Sequence, residues 1–208
     1  QPIISRRGDS HEHYEVLLRM LSPQGEEVPP IEFLSAAKDV GLAEKIDRWL
    51  ILNSIKLLSE HRSKGHNTKL FVHLSGASLQ DQSLLPWLSV ALKAARLPSD
   101  ALIIQFSEPD AIEYLKQAKT LTQGLAELHC KVSLSQFGCA ANPFNTLKHL
   151  TVDFVKIDGS YTQDLSKPEN LESLKVLLAS LHSQAKLTIV PYVETASTMS
   201  TLWQAGVN

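Results

Sequence analysis

Six apolar runs rich in β-branched and aromatic residues recur along the chain and alternate with segments of helical periodicity. The runs are YEVLLRM (14–20), KLFVHLS (69–75), ALIIQFS (101–107), KVSLSQF (131–137), VDFVKID (152–158) and LTIVPYVE (187–194). Most of them are almost continuously apolar, which is typical of strands that are covered on both faces. The pattern therefore predicts buried strands in a parallel arrangement.

Between these runs, apolar residues recur every three or four positions, as on one face of a helix. Such faces are predicted within 46–57, 84–92, 112–125 and 171–181. Ser107 followed by Glu108, Pro109 and Asp110 is a typical helix start, with a capping hydroxyl, early acidic residues and a proline in the first turn. The segment 22–30 is polar and rich in turn residues, so we expect a loop there.

The alternation of strands and helices favours an α/β fold whose parallel sheet is either open or closed into a barrel. A closed barrel of eight strands would need one further strand near residues 1–5 and another beyond residue 208. No internal repeat interrupts the pattern. The 208 residues, 43% of them hydrophobic, are enough for one globular domain with a sizeable core.

Composition excludes several classes of partner. The net charge of −2 gives no electrostatic reason to bind a nucleic acid polymer or an anionic membrane. No apolar run approaches the roughly 20 residues of a membrane span, so membrane insertion is not expected. Cys130 and Cys139 fit neither a disulfide scaffold nor a zinc motif, which favours a reduced, cytoplasmic setting. Because the chain begins at Gln1 rather than at a methionine, we expect it to be part of a longer protein.

Polar residues cluster at the ends of the predicted strands, where α/β barrels carry their active sites. These residues are Glu15, Arg19, His73, Ser75, Gln105, Glu108, Ser135, Gln136, Lys156, Asp158, Tyr192 and Glu194. A site for Mg²⁺ or Mn²⁺ needs several converging carboxylates, because these ions prefer hard oxygen ligands. Amides and hydroxyls occupy many of the positions where such carboxylates would be expected.

Several segments resemble, in order, the motifs of the EAL family, the bacterial phosphodiesterases of cyclic di-GMP. YEVLLR is similar to E-x-L-x-R, and VDFVKIDGSY to D-x-x-K-I-D-x-S-F. LSQFGCAANPF stands in place of L-D-D-F-G-T-G-Y-S, and IVPYVET in place of V-A-E-G-V-E-T. The resemblance implies one EAL-like domain over 1–208, folded as a modified TIM-type (β/α)₈ barrel whose last strand lies beyond residue 208. It also implies that this domain is the C-terminal part of a longer multidomain protein.

The resemblance further implies a two-metal mechanism with Mg²⁺ or Mn²⁺, and most of its ligands are changed here. Glu15 and Lys156 are retained. The changed positions are His73 for an Asn, Gln105 for a Glu, Ser135 and Gln136 for two Asp, and Pro191 for a Glu. One carboxylate cannot neutralise two divalent ions. We therefore expect no metal, no enzymatic activity, and a Lys156 ammonium that occupies the vacated site and pairs with Glu15.

The positions that bind cyclic di-GMP in the family are largely retained. The resemblance assigns them to Gln1, Leu17, Arg19, Ser35, Asp47, Tyr192 and Glu194. The Arg19 guanidinium suits a phosphate, and a carboxylate at Asp47 suits the adjacent N–H donors of a guanine edge. Tyr192, which replaces a glycine of the family motif, can stack on a base.

Structural readings of the same residues stay open beside these assignments. Arg19 could be a surface charge at a strand end, and Asp47 could support its own helix. Tyr192 could be a buried aromatic at the barrel rim, and Glu194 could hold the loop that follows the sixth strand.

Within the family, the sequence resembles the FimX-type branch, whose members are receptors that bind cyclic di-GMP without cleaving it. This resemblance implies a bacterial cytoplasmic protein, with the cell pole as a candidate location, that controls type IV pili and twitching motility through a PilZ-domain partner. Two alternatives remain. One is a residual phosphodiesterase with a metal at Glu15, His73 and Gln105, and the other is a scaffold that binds only protein.

Overall fold

The computed structural model describes residues 1–6, 8 and 11–208. Its strands are β1 (Pro2–Ile3), β2 (Glu12–Glu15), β3 (Met20–Leu21), β4 (Glu27–Val28), β5 (Thr68–His73), β6 (Leu102–Ser107), β7 (Lys131–Phe137), β8 (Phe154–Ile157) and β9 (Leu187–Ile189). Its helices are α1 (Pro30–Asp39), α2 (Ala43–Ser63), α3 (Gly76–Gln80), α4 (Leu84–Ala95), α5 (Glu108–Glu113), α6 (Leu115–Glu127), α7 (Pro143–Leu147), α8 (Pro168–Ser183) and α9 (Ala196–Ala205). Two 3₁₀ turns lie at Ser99–Ala101 and Gly159–Thr162.

The main sheet has the order β1-β2-β5-β6-β7-β8-β9 and curls into a partly closed barrel. β1 is antiparallel to β2, and every later neighbour is parallel. The expected strand near the N-terminus is thus confirmed as β1, in an antiparallel orientation. The strand expected beyond residue 208 stays a prediction. Because the other strands run the same way, their carboxyl ends meet at one edge of the sheet.

The core is densest around the central strands. All six residues of β6 are buried, and so are most residues of β5 and β7. Phe71, Phe106 and Phe137 are each at most 1% exposed. A strand covered on both faces has no polar side to show to water, which explains the nearly continuous apolar runs in the sequence.

Each predicted strand run contains an observed strand, but in the first and the last run the strand stops well before the predicted end. β2 stops at Glu15, and Met20–Leu21 instead pairs with Glu27–Val28 in a separate hairpin. The prediction that 22–30 is only a loop is therefore wrong, because Glu27 and Val28 form β4. Gly25 closes the hairpin with φ of 85°, a left-handed conformation that glycine adopts at little cost.

The last predicted run, 187–194, forms a strand only over Leu187–Ile189. Pro191 has no backbone N–H to donate to a sheet. Tyr192 follows with φ of 60°, which turns the chain away from the strand direction. The residues after Ile189 therefore leave the sheet.

The four predicted helical faces are confirmed in α2, α4, α5 with α6, and α8. The start at Ser107 is also confirmed, since its Oγ accepts a hydrogen bond of 3.1 Å from the Asp110 N–H. The face within 112–125 is broken at Tyr114, whose φ of −117° and ψ of 43° separate α5 from α6. No helix in the described residues is long and apolar enough to cross a membrane.

Candidate functional site

A polar cleft of about 760 Å³ opens at the carboxyl ends of the parallel strands. β2, β5, β6, β7 and β8 each contribute at least one residue to its lining. The segments 157–160, 162–163 and 191–192, with Glu194, form other parts of its wall. The cleft therefore lies where α/β barrels bind their ligands.

The centre of the cleft is a hydrogen-bonded ion pair. Lys156 Nζ lies 2.7 Å from both carboxylate oxygens of Glu15. Gln105 Nε2 donates to Glu15 Oε1 at 2.8 Å, and Gln105 Oε1 accepts from Ser133 Oγ at 3.0 Å. The structure thus shows the contact between Glu15 and Lys156 that was predicted from the sequence.

This network sets the protonation of Glu15. Burial desolvates the carboxylate and acts to raise its pKa, but the hydrogen bond and charge of Lys156, with the hydrogen bond from Gln105, outweigh burial. The pKa of Glu15 therefore lies below its ordinary value, and its carboxylate is ionised at neutral pH.

His73 contributes no positive charge to the cleft at neutral pH. His73 is an exposed residue that lines the cleft, and the protein packed around its ring desolvates it and lowers its pKa. The carboxylates of Asp110 and Asp47 oppose this shift without reversing it. His73 is therefore a neutral donor or acceptor rather than a partner for phosphate charge.

The residues at the strand ends do not fit a pair of divalent ions. Across residues 1–6, 8 and 11–208, no group of three or more His, Cys, Asp or Glu side chains is placed to hold a metal. The retained carboxylate, Glu15, is already neutralised by Lys156. Ser135 and Gln136 supply neutral oxygens, which bind hard cations far more weakly than carboxylates do.

The loop beside the cleft is held by Glu108, which the sequence predicts only as a rim residue at the start of a helix. Its Oε2 accepts hydrogen bonds from three successive backbone N–H groups, those of Gly138, Cys139 and Ala140, at 3.0, 3.1 and 3.3 Å. Burial raises the pKa of Glu108 despite these bonds. Its Oε1 is buried and has no hydrogen-bond partner in the described structure. The sequence does show an acidic residue directly after a buried strand. It does not show what Glu108 binds, because the three backbone N–H groups lie some thirty positions further along the chain.

Of the seven predicted binding residues, the structure places Tyr192 and Glu194 in the cleft wall. The Tyr192 side chain is 76% exposed, so the reading as a buried rim aromatic does not hold. Its φ of 60° is a backbone conformation that favours glycine, the residue found at this position in the family motif. The chain keeps a glycine-like turn here and adds an aromatic ring to it.

Four other predicted residues lie outside the cleft lining. The Gln1 N–H donates to the Glu15 carbonyl at 2.9 Å, which ties this residue to β2 through its backbone. Leu17 is 53% exposed, and Ser35 is an exposed residue of α1. Arg19 Nη1 lies 2.6 and 2.7 Å from the two carboxylate oxygens of Glu27, on the hairpin. None of these four residues belongs to the cleft lining that contains Tyr192 and Glu194.

Asp47 is buried and already has partners. Its Oδ2 accepts three hydrogen bonds, from Ser75 N at 2.8 Å, Ser75 Oγ at 2.6 Å and Ser78 Oγ at 2.7 Å. Asp47 thus joins α2 to the turn that begins α3. Its predicted contact with guanine would have to come from Oδ1, which accepts no hydrogen bond within the described part of the chain.

Part of the cleft wall was not predicted from the sequence. Asp110, Gly159, Ser160, Thr162 and Gln163 line the cleft but were not proposed as site residues. Four of them lie in or beside the 3₁₀ turn Gly159–Thr162, directly after β8. These residues could have been predicted from the sequence, because the segment directly after β8 consists of small and polar residues.

Comparisons with solved structures agree with this geometry. The FimX EAL domain from Pseudomonas aeruginosa, solved bound to c-di-GMP, matches with a TM-score of 0.94 and 70% identity over 100% of this chain and 84% of that chain. The Xanthomonas citri FimX EAL domain, in complex with c-di-GMP, matches with a TM-score of 0.90 and 27% identity over 100% and 81% of the two chains. These matches confirm the predicted α/β, TIM-like fold.

Curated proteins and the family model agree as well. The cyclic di-GMP phosphodiesterase PdeF of Escherichia coli (strain K12) is 28% identical over 209 residues, which cover 100% of this chain and 28% of PdeF. The chain spans about a quarter to a third of the length of the first curated relatives it matches. The family model of the EAL domain matches residues 1–208. The chain therefore belongs to the EAL domain family and is a domain of the FimX type.

Proposed function

We propose that this chain is a receptor that binds cyclic di-GMP and leaves it intact. Binding is supported by the FimX EAL domain of P. aeruginosa, which is 70% identical and was solved bound to c-di-GMP. The loss of hydrolysis is carried by one observation, the lack of carboxylates at the strand ends beside Glu15, where Gln105, Ser135 and Gln136 line the cleft. Glu15 itself is paired with Lys156 at 2.7 Å, and among the described residues no three His, Cys, Asp or Glu side chains are placed to hold a metal that could activate water.

The proposal extends to what the receptor controls. In line with the FimX type, the nucleotide signal would pass through a PilZ-domain protein to type IV pili and twitching motility, in the bacterial cytoplasm and at the cell pole. The support for this part is the similarity to FimX EAL domains. A second candidate is residual hydrolysis, favoured by relatives such as PdeF that are named as cyclic di-GMP phosphodiesterases.

Calorimetric titration with cyclic di-GMP, in EDTA and again with Mg²⁺, tests the receptor function when the recovered nucleotide is analysed by chromatography. We expect equal affinity in both buffers, and we expect the recovered cyclic di-GMP to be intact. The variant Arg19→Ala should bind cyclic di-GMP about tenfold more weakly or worse, because a guanidinium hydrogen bond to a phosphate is charge-assisted. Metal-dependent binding with linear pGpG would establish the phosphodiesterase instead. Absence of binding in both buffers would leave a scaffold that binds only protein.

The ion pair on the hairpin gives a prediction in the opposite direction. Arg19 forms an ion pair with Glu27, so a phosphate must displace the Glu27 carboxylate before it can bind the Arg19 guanidinium. Glu27→Gln is therefore expected to raise the affinity for cyclic di-GMP up to about fivefold, since an exposed ion pair is worth about 1 kcal/mol or less. Calorimetry in low-salt buffer measures the change.

Glu26→Gln is the matched control for this prediction. Glu26 is an exposed neighbour, and the substitution changes the net charge equally without touching Arg19. It should leave the affinity unchanged. An equal gain in both variants would mean that overall charge, rather than release of Arg19, sets the affinity.

A further inference from the structure

Gly159 and Tyr192 are in direct contact at the wall of the cleft. A Cβ atom built on Gly159 would lie 2.7 Å from Tyr192 Cε2 and 3.0 Å from Cδ2. Carbon atoms do not approach one another this closely without strain, so the Tyr192 ring fills the volume that a side chain at 159 would occupy. Both residues also line the cleft.

The backbone at position 159 does not itself require glycine. The glycines with positive φ in the described structure are Gly8, Gly25, Gly41, Gly65, Gly138 and Gly206, and Gly159 is not among them. An alanine could therefore adopt the backbone conformation of position 159 without difficulty. The methyl group of an alanine would meet the tyrosine ring, which would have to move away to make room for it.

Tyr192 needs support of this kind because little else surrounds its ring. The residue is 76% exposed and follows Pro191, after the chain has left the sheet. An exposed aromatic side chain that must become fixed on binding loses conformational freedom at that moment. A ring already resting against the Gly159 backbone has lost part of that freedom before the ligand arrives.

We propose that Gly159 is a positioning residue for a planar, aromatic ligand group such as a purine base. Because Gly159 has no side chain, the Tyr192 ring can lie against the 3₁₀ turn after β8. In that position the ring faces the cleft. This inference rests on the proposed function, because it takes the base to be that of the bound dinucleotide. Gly159 itself gives the ligand no side-chain contact. It acts by holding the ring that does.

A double-mutant cycle tests this coupling. Wild type, Gly159→Ala, Tyr192→Ala and the double variant are titrated with cyclic di-GMP in EDTA, and thermal unfolding shows that each is folded. Tyr192→Ala should lower the affinity about tenfold, as expected for loss of a base stack. Gly159→Ala should lower it about three- to tenfold through loss of preorganisation. In the Tyr192→Ala background, the same alanine should change the affinity less than twofold, because there is no ring left to displace. If Gly159→Ala lowers the affinity as much in the Tyr192→Ala protein as in wild type, the proposal is overturned.

A measurement without nucleotide separates this inference from the proposed function. In protein with ¹³C-labelled tyrosine rings, a nuclear Overhauser effect between the Gly159 Hα atoms and the Tyr192 ring is expected in the free state and should weaken in Gly159→Ala. Absence of that signal in wild type would overturn the positioning of the ring, whether or not cyclic di-GMP binds. If the signal is present and wild type fails to bind cyclic di-GMP, the receptor function falls while the contact stands.

Discussion

Replacing Lys156 by Met should lower the free energy of unfolding by about 3 kcal/mol, at the lower end of the range for breaking a buried ion pair. The side chains of Lys156 and Glu15 are 21% and 12% exposed, so water screens the pair only weakly. Without the ammonium, Gln105 remains as a neutral donor to a largely buried carboxylate. Urea unfolding at pH 7, with the free energies extrapolated to water, measures the loss.

Two variants serve as controls for this prediction. Lys119→Met removes an exposed lysine of α6 and should change stability by less than about 0.5 kcal/mol. The double variant Glu15→Gln with Lys156→Met should recover most of the loss, because no buried charge is then left unpaired. Equal stability of Lys156→Met and wild type would mean that the ion pair does not hold the centre of the cleft.

The same pair predicts a change in pH dependence. In wild type the pKa of Glu15 is lowered, so its contribution to stability is present above the ordinary pKa of 4.5 and is lost as pH falls through the lowered value. In Lys156→Met the effect of burial is no longer outweighed, and the pKa of Glu15 should rise. The folded state then binds the proton more tightly, so this carboxyl should destabilise the variant as pH rises above about 4.5. Unfolding curves between pH 3 and pH 7 show whether the contribution of Glu15 to stability grows with rising pH, as expected for wild type, or falls, as expected for Lys156→Met.

The strands were predictable where burial is uniform. β6 is buried along its whole length, and its sequence accordingly reads as a nearly continuous apolar run, interrupted at Gln105 and ended by Ser107 on the side of the cleft. The hairpin was not predictable in the same way. Met20 and Leu21 are exposed, so no burial pattern marks them as a strand, and their pairing depends on the turn closed by Gly25. Short exposed strands leave little trace in the order of apolar and polar residues.

Only those contacts of the site that follow from the positions of the strand ends were predictable from the sequence. Glu15 and Lys156 are distant in sequence but meet because parallel strands place their carboxyl ends together. The contacts of Glu108 with the 138–140 backbone and of Tyr192 with Gly159 depend on how loops fold across the sheet edge. Motif resemblance assigned a ligand to Asp47, but it did not reveal that Ser75 and Ser78 already bond to its carboxylate.

Asp47→Ala is expected to destabilise the protein by about 3 kcal/mol. The residue is 5% exposed, and its carboxylate accepts bonds from the Ser75 N–H and from the hydroxyls of Ser75 and Ser78. Removing the acceptor leaves three donors unpaired around a buried position, a cost well above that of one ordinary hydrogen bond. Urea unfolding measures the effect. Ser78→Ala, which removes a single donor, should cost only about 1 kcal/mol.

Asp47→Asn separates this structural function from the predicted contact with guanine. The amide oxygen can replace Oδ2 and keep the three bonds from the serines, so the stability loss should be about 1–2 kcal/mol, smaller than for alanine. That orientation places the amide NH₂ where Oδ1 stood, and an NH₂ group cannot accept bonds from the N1–H and N2–H₂ donors of guanine. The folded variant should therefore bind cyclic di-GMP at least about tenfold more weakly than wild type, measured by calorimetry. Unchanged affinity in a folded Asp47→Asn protein would show that Asp47 acts on the ligand site only through the turn that it anchors.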